Sequence, residues 1–141
     1  MSTKQRGDET ESRLLAELIS RGYSVSVPFG DNDRYDLVVD AGDSLYRVQC
    51  KTGWVEEEAR IRFKTGSKTT KDGVPVTTDY GDDIDSFAVY CAETTTCYWI
   101  PADEAGKKST YLRVVEAAID HPSVKYARDY RFARNLPELV R

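Results

Sequence analysis

Tyr35-Asp36-Leu37-Val38-Val39-Asp40, then the turn Ala41-Gly42-Asp43, then Leu45-Tyr46-Arg47-Val48-Gln49-Cys50-Lys51, decides the fold. Two alternating, β-branched-rich runs separated by a short Gly-containing turn predict an antiparallel hairpin. Side chains alternate along a strand. Tyr46, Val48 and Cys50 therefore share one face, a core stripe, while Arg47, Gln49 and Lys51 share the other. In the first strand Leu37 and Val39 share one face, with Asp36, Val38 and Asp40 opposite. If Asp40 pairs near Leu45, Asp36 falls opposite Gln49, two residues from Lys51. One face of the hairpin then carries a carboxylate, an amide and an ammonium within reach of each other.

On the N-terminal side, Leu14, Leu15, Leu18 and Ile19 recur at helical spacing and predict a helix over about Gly7–Arg21, stopped by Gly22. Glu11 continues that apolar stripe by one turn, whereas Glu9 points away. A carboxylate on a core-facing stripe is costly unless it is paired, hydrogen-bonded or bound to metal. Asp8 and Glu11 also have capping-box spacing, so a bond to the backbone at the helix start stands beside the functional reading. Tyr23–Val27 alternates as a strand, and 29–34 reads as a loop.

On the C-terminal side, Ala59–Lys64 alternates, Lys64–Gly73 reads as a flexible basic loop, and Ser86–Cys91 suits a buried strand. Cys97–Ile100 is a further strand closed by Pro101, with a short helix after it. Val114–Ile119 is read as a second helix, and Ser123–Arg141 as a loosely packed basic tail. The result is an α/β domain with a central mixed sheet flanked by helices. The 141 residues suit a single domain.

Hydrophobic residues make up 40% and charged residues 31%, and no apolar run reaches the ~20 residues of a membrane span. No signal-peptide h-region is seen, so the cytoplasm is the expected location. The three cysteines, Cys50, Cys91 and Cys97, form no C-x-x-C pair, which disfavours a disulfide framework or a zinc site. Cys50 reads as a core residue rather than a nucleophile. The one histidine, His121, sits in a turn before Pro122 and rules out a multi-histidine metal site. No G-x-G-x-x-G loop is present, which disfavours a dinucleotide cofactor. A net charge of −4 argues weakly against nucleic acid. The basic residues are nevertheless clustered. Arg60, Arg62, Lys64, Lys68 and Lys71 form one group, and Lys125, Arg128, Arg131 and Arg134 another. Both are candidate phosphate contacts, with solvated charge as the alternative. Asp83 and Asp85 have no derivable chemical role, and loop capping is the default.

An acid in the first helix (Glu11), an Asp at a strand start (Asp36) and Gln49-Cys50-Lys51 in the next strand resemble the PD-(D/E)XK nuclease superfamily. Longer text resembles a small group that includes a cyanobacterial intron-encoded homing endonuclease. That text comprises Gly7-Asp8, Tyr35–Asp40, Arg47-Val48-Gln49-Cys50-Lys51-Thr52 and Asp83–Tyr90, within a span of about Lys4 to Pro101. The resemblance implies a restriction-endonuclease-like core and magnesium-dependent phosphodiester hydrolysis, with one or two Mg²⁺ ions and Mn²⁺ as a substitute. It further implies double-stranded DNA as substrate, cut site-specifically by a homo-oligomer, a dimer or tetramer. Glu11, Asp36, Gln49 and Lys51 would be catalytic. Asp36 and the Cys50 main-chain carbonyl would hold the ion, Glu11 a water or a second ion, and Lys51 the phosphate. Gln49 stands where the family usually has a second acid. An amide can offer an oxygen but cannot act as a base. A Holliday-junction resolvase, or a catalytically silent member that binds nucleic acid or protein, remains the alternative.

Overall fold

The computed structural model describes the backbone of residues 1–141 and all side chains except those of Ser67, Lys68, Thr69 and Lys71. Helix α1 spans Thr3–Ser20 and begins four residues before the predicted start. The reason is a capping box made by other residues. The Gln5 N–H donates to Ser2 Oγ at 3.1 Å, and the Ser2 N–H donates to Gln5 Oε1 at 2.9 Å. Leu14 and Leu18 are fully buried and Thr10 nearly so, whereas Ile19, expected on the same stripe, is 56% exposed.

The strands are β1 (Ser24–Ser26), β2 (Leu37–Asp40), β3 (Leu45–Glu56), β4 (Arg60–Lys64), β5 (Gly66–Lys71), β6 (Val74–Asp79), β7 (Ser86–Cys91), β8 (Thr96–Pro101) and β9 (Ser109–Arg113). Strands β1, β2 and β3 are antiparallel neighbours, and the hairpin register is the expected one, with Asp40 opposite Leu45 and Leu37 opposite Val48. Strand β7 pairs in parallel with the first part of β3, and β8 runs antiparallel to β7. This gives the mixed sheet read from the sequence.

Beyond Gly53, β3 turns to β4, which pairs with β9. A Cβ at Gly53 would lie 2.9 Å from both Ile61 Cγ2 and Val89 Cγ1, so glycine there lets those side chains pack close against the strand. One apolar cluster joins α1 to one sheet face through Leu14, Leu18, Leu37, Val39, Val48, Ala88, Tyr90 and Trp99. The other face packs Phe87, Val89, Cys91, Tyr98 and Ile100 against Ile61, Phe63 and Leu112. Strand β7 is buried along its whole length because both its faces are covered.

Three expectations are corrected. The stretch 64–73 is not a loop: it contributes most of the β5–β6 hairpin, turned by Asp72 and Gly73 at φ 52° and 76°. An Asp-Gly pair with both φ positive is a favoured two-residue hairpin turn. Val114–Ile119 is not helical. Its β-branched start disfavours a helix, and the Val114 N–H instead donates to the Ala59 carbonyl at 2.9 Å, prolonging the β9–β4 ladder. The 123–141 segment is not loosely held. It forms helices α2 (Ala127–Tyr130) and α3 (Phe132–Asn135), and Phe132 is only 3% exposed. Asn135 Nδ2 donates to the Trp99 carbonyl at 2.8 Å, and the Val140 N–H donates to the Ala41 carbonyl at 2.8 Å. Gly42, at φ 97°, lies so close to Val140 that any Cβ would collide with its carbonyl.

Phe132→Ala should lower the free energy of unfolding by roughly 3–5 kcal/mol in a denaturant titration. A change near zero would mean that the terminal segment is not part of the core.

Candidate active site

Strand β2 begins at Leu37, and Asp36 is the residue just before the ladder. Its N–H still donates to the Val48 carbonyl at 2.8 Å, while its Oδ2 accepts the Cys50 N–H at 2.9 Å. The side chain thus takes an amide that the vacated strand no longer serves. A backbone amide on this edge lies near the sheet plane, so the carboxylate sits on the ladder line rather than out on the Gln49 face. N–H and C=O of one strand residue point to the same side. The Cys50 carbonyl therefore points toward Asp36 as well.

Glu11 reaches this point from the helix side. It lies in the interior of α1, outside the Ser2–Gln5 capping box, so the capping explanation for its position falls away. Burial raises the Glu11 carboxyl above its ordinary range, and the negative charges of Asp36 and Asp8 raise it further. Burial also raises Asp36. The Cys50 N–H and the Lys51 charge pull it back without cancelling the rise. The Cys50 thiol is pushed well up by burial, then by the charges of Asp36 and Glu11, which keeps it neutral. Neither carboxylate forms an ion pair among the described residues.

Lys51 and Gln49 extend to the sheet face opposite α1, both half-buried. Lys51 Nζ donates to the Tyr80 hydroxyl at 3.0 Å and lies 5.0 Å from the Tyr80 ring centroid. The Arg34 guanidinium lies 4.5 Å from the same centroid. The sequence reading singled out neither Tyr80 nor Arg34. The available cues were weak: an aromatic inside an acidic run, and an arginine next to Tyr35-Asp36. A cleft of about 570 Å³ borders Tyr80 and includes Tyr46, Asp85 and Phe87, but not Glu11, Asp36 or Lys51. The candidate catalytic residues are half-buried and lie outside the lining of that cleft.

Asp83 and Asp85 prove to be anchors. Asp85 Oδ2 accepts the Arg47 N–H at 2.7 Å, and its carboxylate also takes the Arg47 guanidinium. Burial raises Asp85, but these bonds outweigh it and hold the carboxyl below its ordinary range. Asp83 binds Arg34 at 2.8 Å.

The candidate DNA contacts separate into two sets. Arg60 pairs with Glu56 and Glu57, and Arg62 with Glu56, while Arg128 pairs with Glu116 and Arg134 with Asp129. Lys64, Lys125 and Arg131 form no ion pair among the described residues. Lys68 and Lys71 lie outside the described side chains.

No group of three or more His, Cys, Asp and Glu side chains is clustered to hold a metal among the described residues. The donor set is two carboxylates plus neutral oxygens. Two carboxylates raised by burial and, at Glu11, by mutual repulsion, with no ion pair to relieve them, fit a divalent cation.

A mixed sheet with helix α1 packed on one face is the fold of a restriction-endonuclease-like nuclease. The chain belongs to the PD-(D/E)XK endonuclease family, whose profile matches residues 1–133. A solved structure of a bacterial homing endonuclease, I-Ssp6803I, is similar to it at 28% identity and a TM-score of 0.73, with 94% of this chain and 90% of that chain covered. No curated protein matches it.

The two raised carboxyls give a signed expectation. A group that holds its proton more tightly when folded stabilises the fold fully below its unfolded pKa and loses that contribution as pH rises through its folded value. Glu11→Gln should therefore leave stability at pH 7 equal or higher, with the gain disappearing in acid. Mg²⁺ or Mn²⁺ should raise the melting temperature of the wild type more than that of Glu11→Gln or Asp36→Asn. Destabilisation of Glu11→Gln at neutral pH would contradict the assignment of burial and repulsion at Glu11.

Proposed function

We propose that this chain is a magnesium-dependent endonuclease that hydrolyses phosphodiester bonds of double-stranded DNA at a defined site, acting in the cytoplasm as a homo-oligomer. The observation that carries this reading is the Asp36 carboxylate on the Cys50 amide, with the Glu11 charge on one side and Lys51 on the other.

Asp36, the Cys50 carbonyl and Glu11 would hold the ion, and Gln49 would add an oxygen without charge. Two carboxylates balance the charge of one divalent ion. When bound, the ion supplies charge neutralisation at the phosphate and makes water a better nucleophile. The chain's own residues do the remaining work. Lys51 brings a positive charge to the phosphate oxygens, where negative charge grows in the transition state. Glu11, its carboxyl raised by burial and by the Asp36 charge, accepts a hydrogen bond from the attacking water and orients it.

Each chain has a single set of these residues, so cutting both strands calls for two copies. Lys64, Lys125 and Arg131, whose charges are not taken up by acids among the described residues, are the first candidates for backbone contacts. Arg60 and Arg62 would have to leave Glu56 to act in this way. The β5–β6 hairpin is a two-stranded ribbon of the width that enters a major groove. Its β6 strand is exposed throughout. The similar solved protein is a homing endonuclease, which favours a defined target site.

Supercoiled plasmid incubated with Mg²⁺ should be nicked or linearised by the wild type. Asp36→Ala and Lys51→Ala should each reduce the rate by about 100-fold or more. Variants that cut as well as wild type would overturn the site. Intact plasmid together with retained duplex in a gel-shift assay would replace this reading with a DNA-binding protein that does not cleave.

A further inference from the structure

Lysine has a long, flexible side chain, and its ammonium is useful at a phosphate only when something holds it there. In this chain the holder is Tyr80. Tyr80 is 7% exposed and packs edge-on against Phe87, with ring centroids 5.6 Å apart and planes at 84°. The ring is therefore fixed. Its hydroxyl takes one N–H of Lys51 at 3.0 Å, and the ammonium has three. Two remain for phosphate oxygens. On the ring, 4.5 Å from the centroid, sits the Arg34 guanidinium. That guanidinium is held in turn, with Nη1 on Asp83 Oδ2 at 2.8 Å and Nη2 on the Asp79 carbonyl at 3.0 Å.

Arg34 lies two residues before Asp36, and Tyr80 follows Asp79 directly. The stack therefore ties the segment that delivers Asp36 to the hydroxyl that holds Lys51. We propose that Tyr80, locked by Arg34, is a positioning residue that aims Lys51 at the scissile phosphate and sets its place relative to Asp36. This rests on the endonuclease reading above. It adds to that reading two residues outside the helix–strand–strand pattern and a reason for the chain to bring 79–83 against 34–36.

The test is cleavage of a duplex with Mg²⁺, with enzyme in excess so that slow single turnovers are resolved. Tyr80→Phe keeps the ring and its packing and removes only the acceptor. Its cleavage rate should fall about tenfold, the loss expected for one hydrogen bond to a charged group. Duplex affinity and melting temperature should change little. In a Lys51→Ala background the same substitution should cost nothing more, because the group it positions is gone. Arg34→Met should act in the same direction as Tyr80→Phe. If wild type cleaves and Tyr80→Phe matches it, the proposal fails alone. It also fails if the Tyr80→Phe loss persists undiminished without Lys51, or if it is matched by a loss of affinity or of folding. A wild type that does not cleave brings down the endonuclease reading, and this proposal with it.

Discussion

Where β2 leaves β3, the Cys50 amide has no backbone partner on that side, and the Asp36 carboxylate takes it at 2.9 Å. A buried amide left unpaired costs on the order of 1–3 kcal/mol. The sheet therefore needs an acceptor at this spot, and a side chain one residue beyond the ladder is well placed to supply it. The same bond turns the carboxylate inward to the strand end, under the reach of Glu11 from α1 and Lys51 from β3. The strand end and the site are thus one feature. An apolar residue at position 36 would orphan the amide and also remove the charge.

The electrostatics distinguish this place from the rest of the surface. Two other acids with shifted carboxyls have arginine partners. Asp85 sits on Arg47 and Glu56 on Arg62, and both carboxyls end up below their ordinary range although burial pushes the other way. Glu11 and Asp36 end up above theirs. Asp85 and Glu56 are drawn down by arginines, whereas burial outweighs the Lys51 charge at Asp36 and is reinforced by negative charge at Glu11. Such an arrangement works against folding and is kept where chemistry uses it.

The hairpin was legible because two local rules agree on it: alternation assigns the faces, and the short turn fixes Asp40 opposite Leu45. The buried strand 86–91 was legible from composition. What escaped depends on partners distant in sequence or on turn chemistry. The helix starts early because Ser2 and Gln5 cap it, a pair as plausible by eye as Asp8 and Glu11. Asp72-Gly73 is a local hairpin signal, but the polar, lysine-rich run before it carries none of the apolar alternation of a strand. Phe132 and Leu136 belong to the core through contacts that no local period announces. The pairing of Arg60 and Arg62 with Glu56 follows from the β3–β4 register, which sets Glu56 opposite Arg60 and Trp54 opposite Arg62. Tyr80 escaped for the same reason: Lys51 and Tyr80 are 29 residues apart, and the parallel β3–β7 pairing brings their segments together.

Gln49 shows how the strand reconciles these demands. Its neighbours on β3 are committed. Val48 and Cys50 pack toward α1, and Lys51 is tied to Tyr80. A carboxylate at position 49 would add a negative charge next to Cys50, whose amide holds Asp36, and the charge of Asp36 is already disfavoured by burial. It would also compete with phosphate for Lys51. Like charges crowded at one site push the weakest acid toward its protonated form, so a third acid would take up a proton part of the time and lose part of its own charge. An amide presents an oxygen of similar reach without that repulsion. The neutral residue is thus consistent with the proposed site, in which two acids would match one divalent charge and the lysine would serve the substrate.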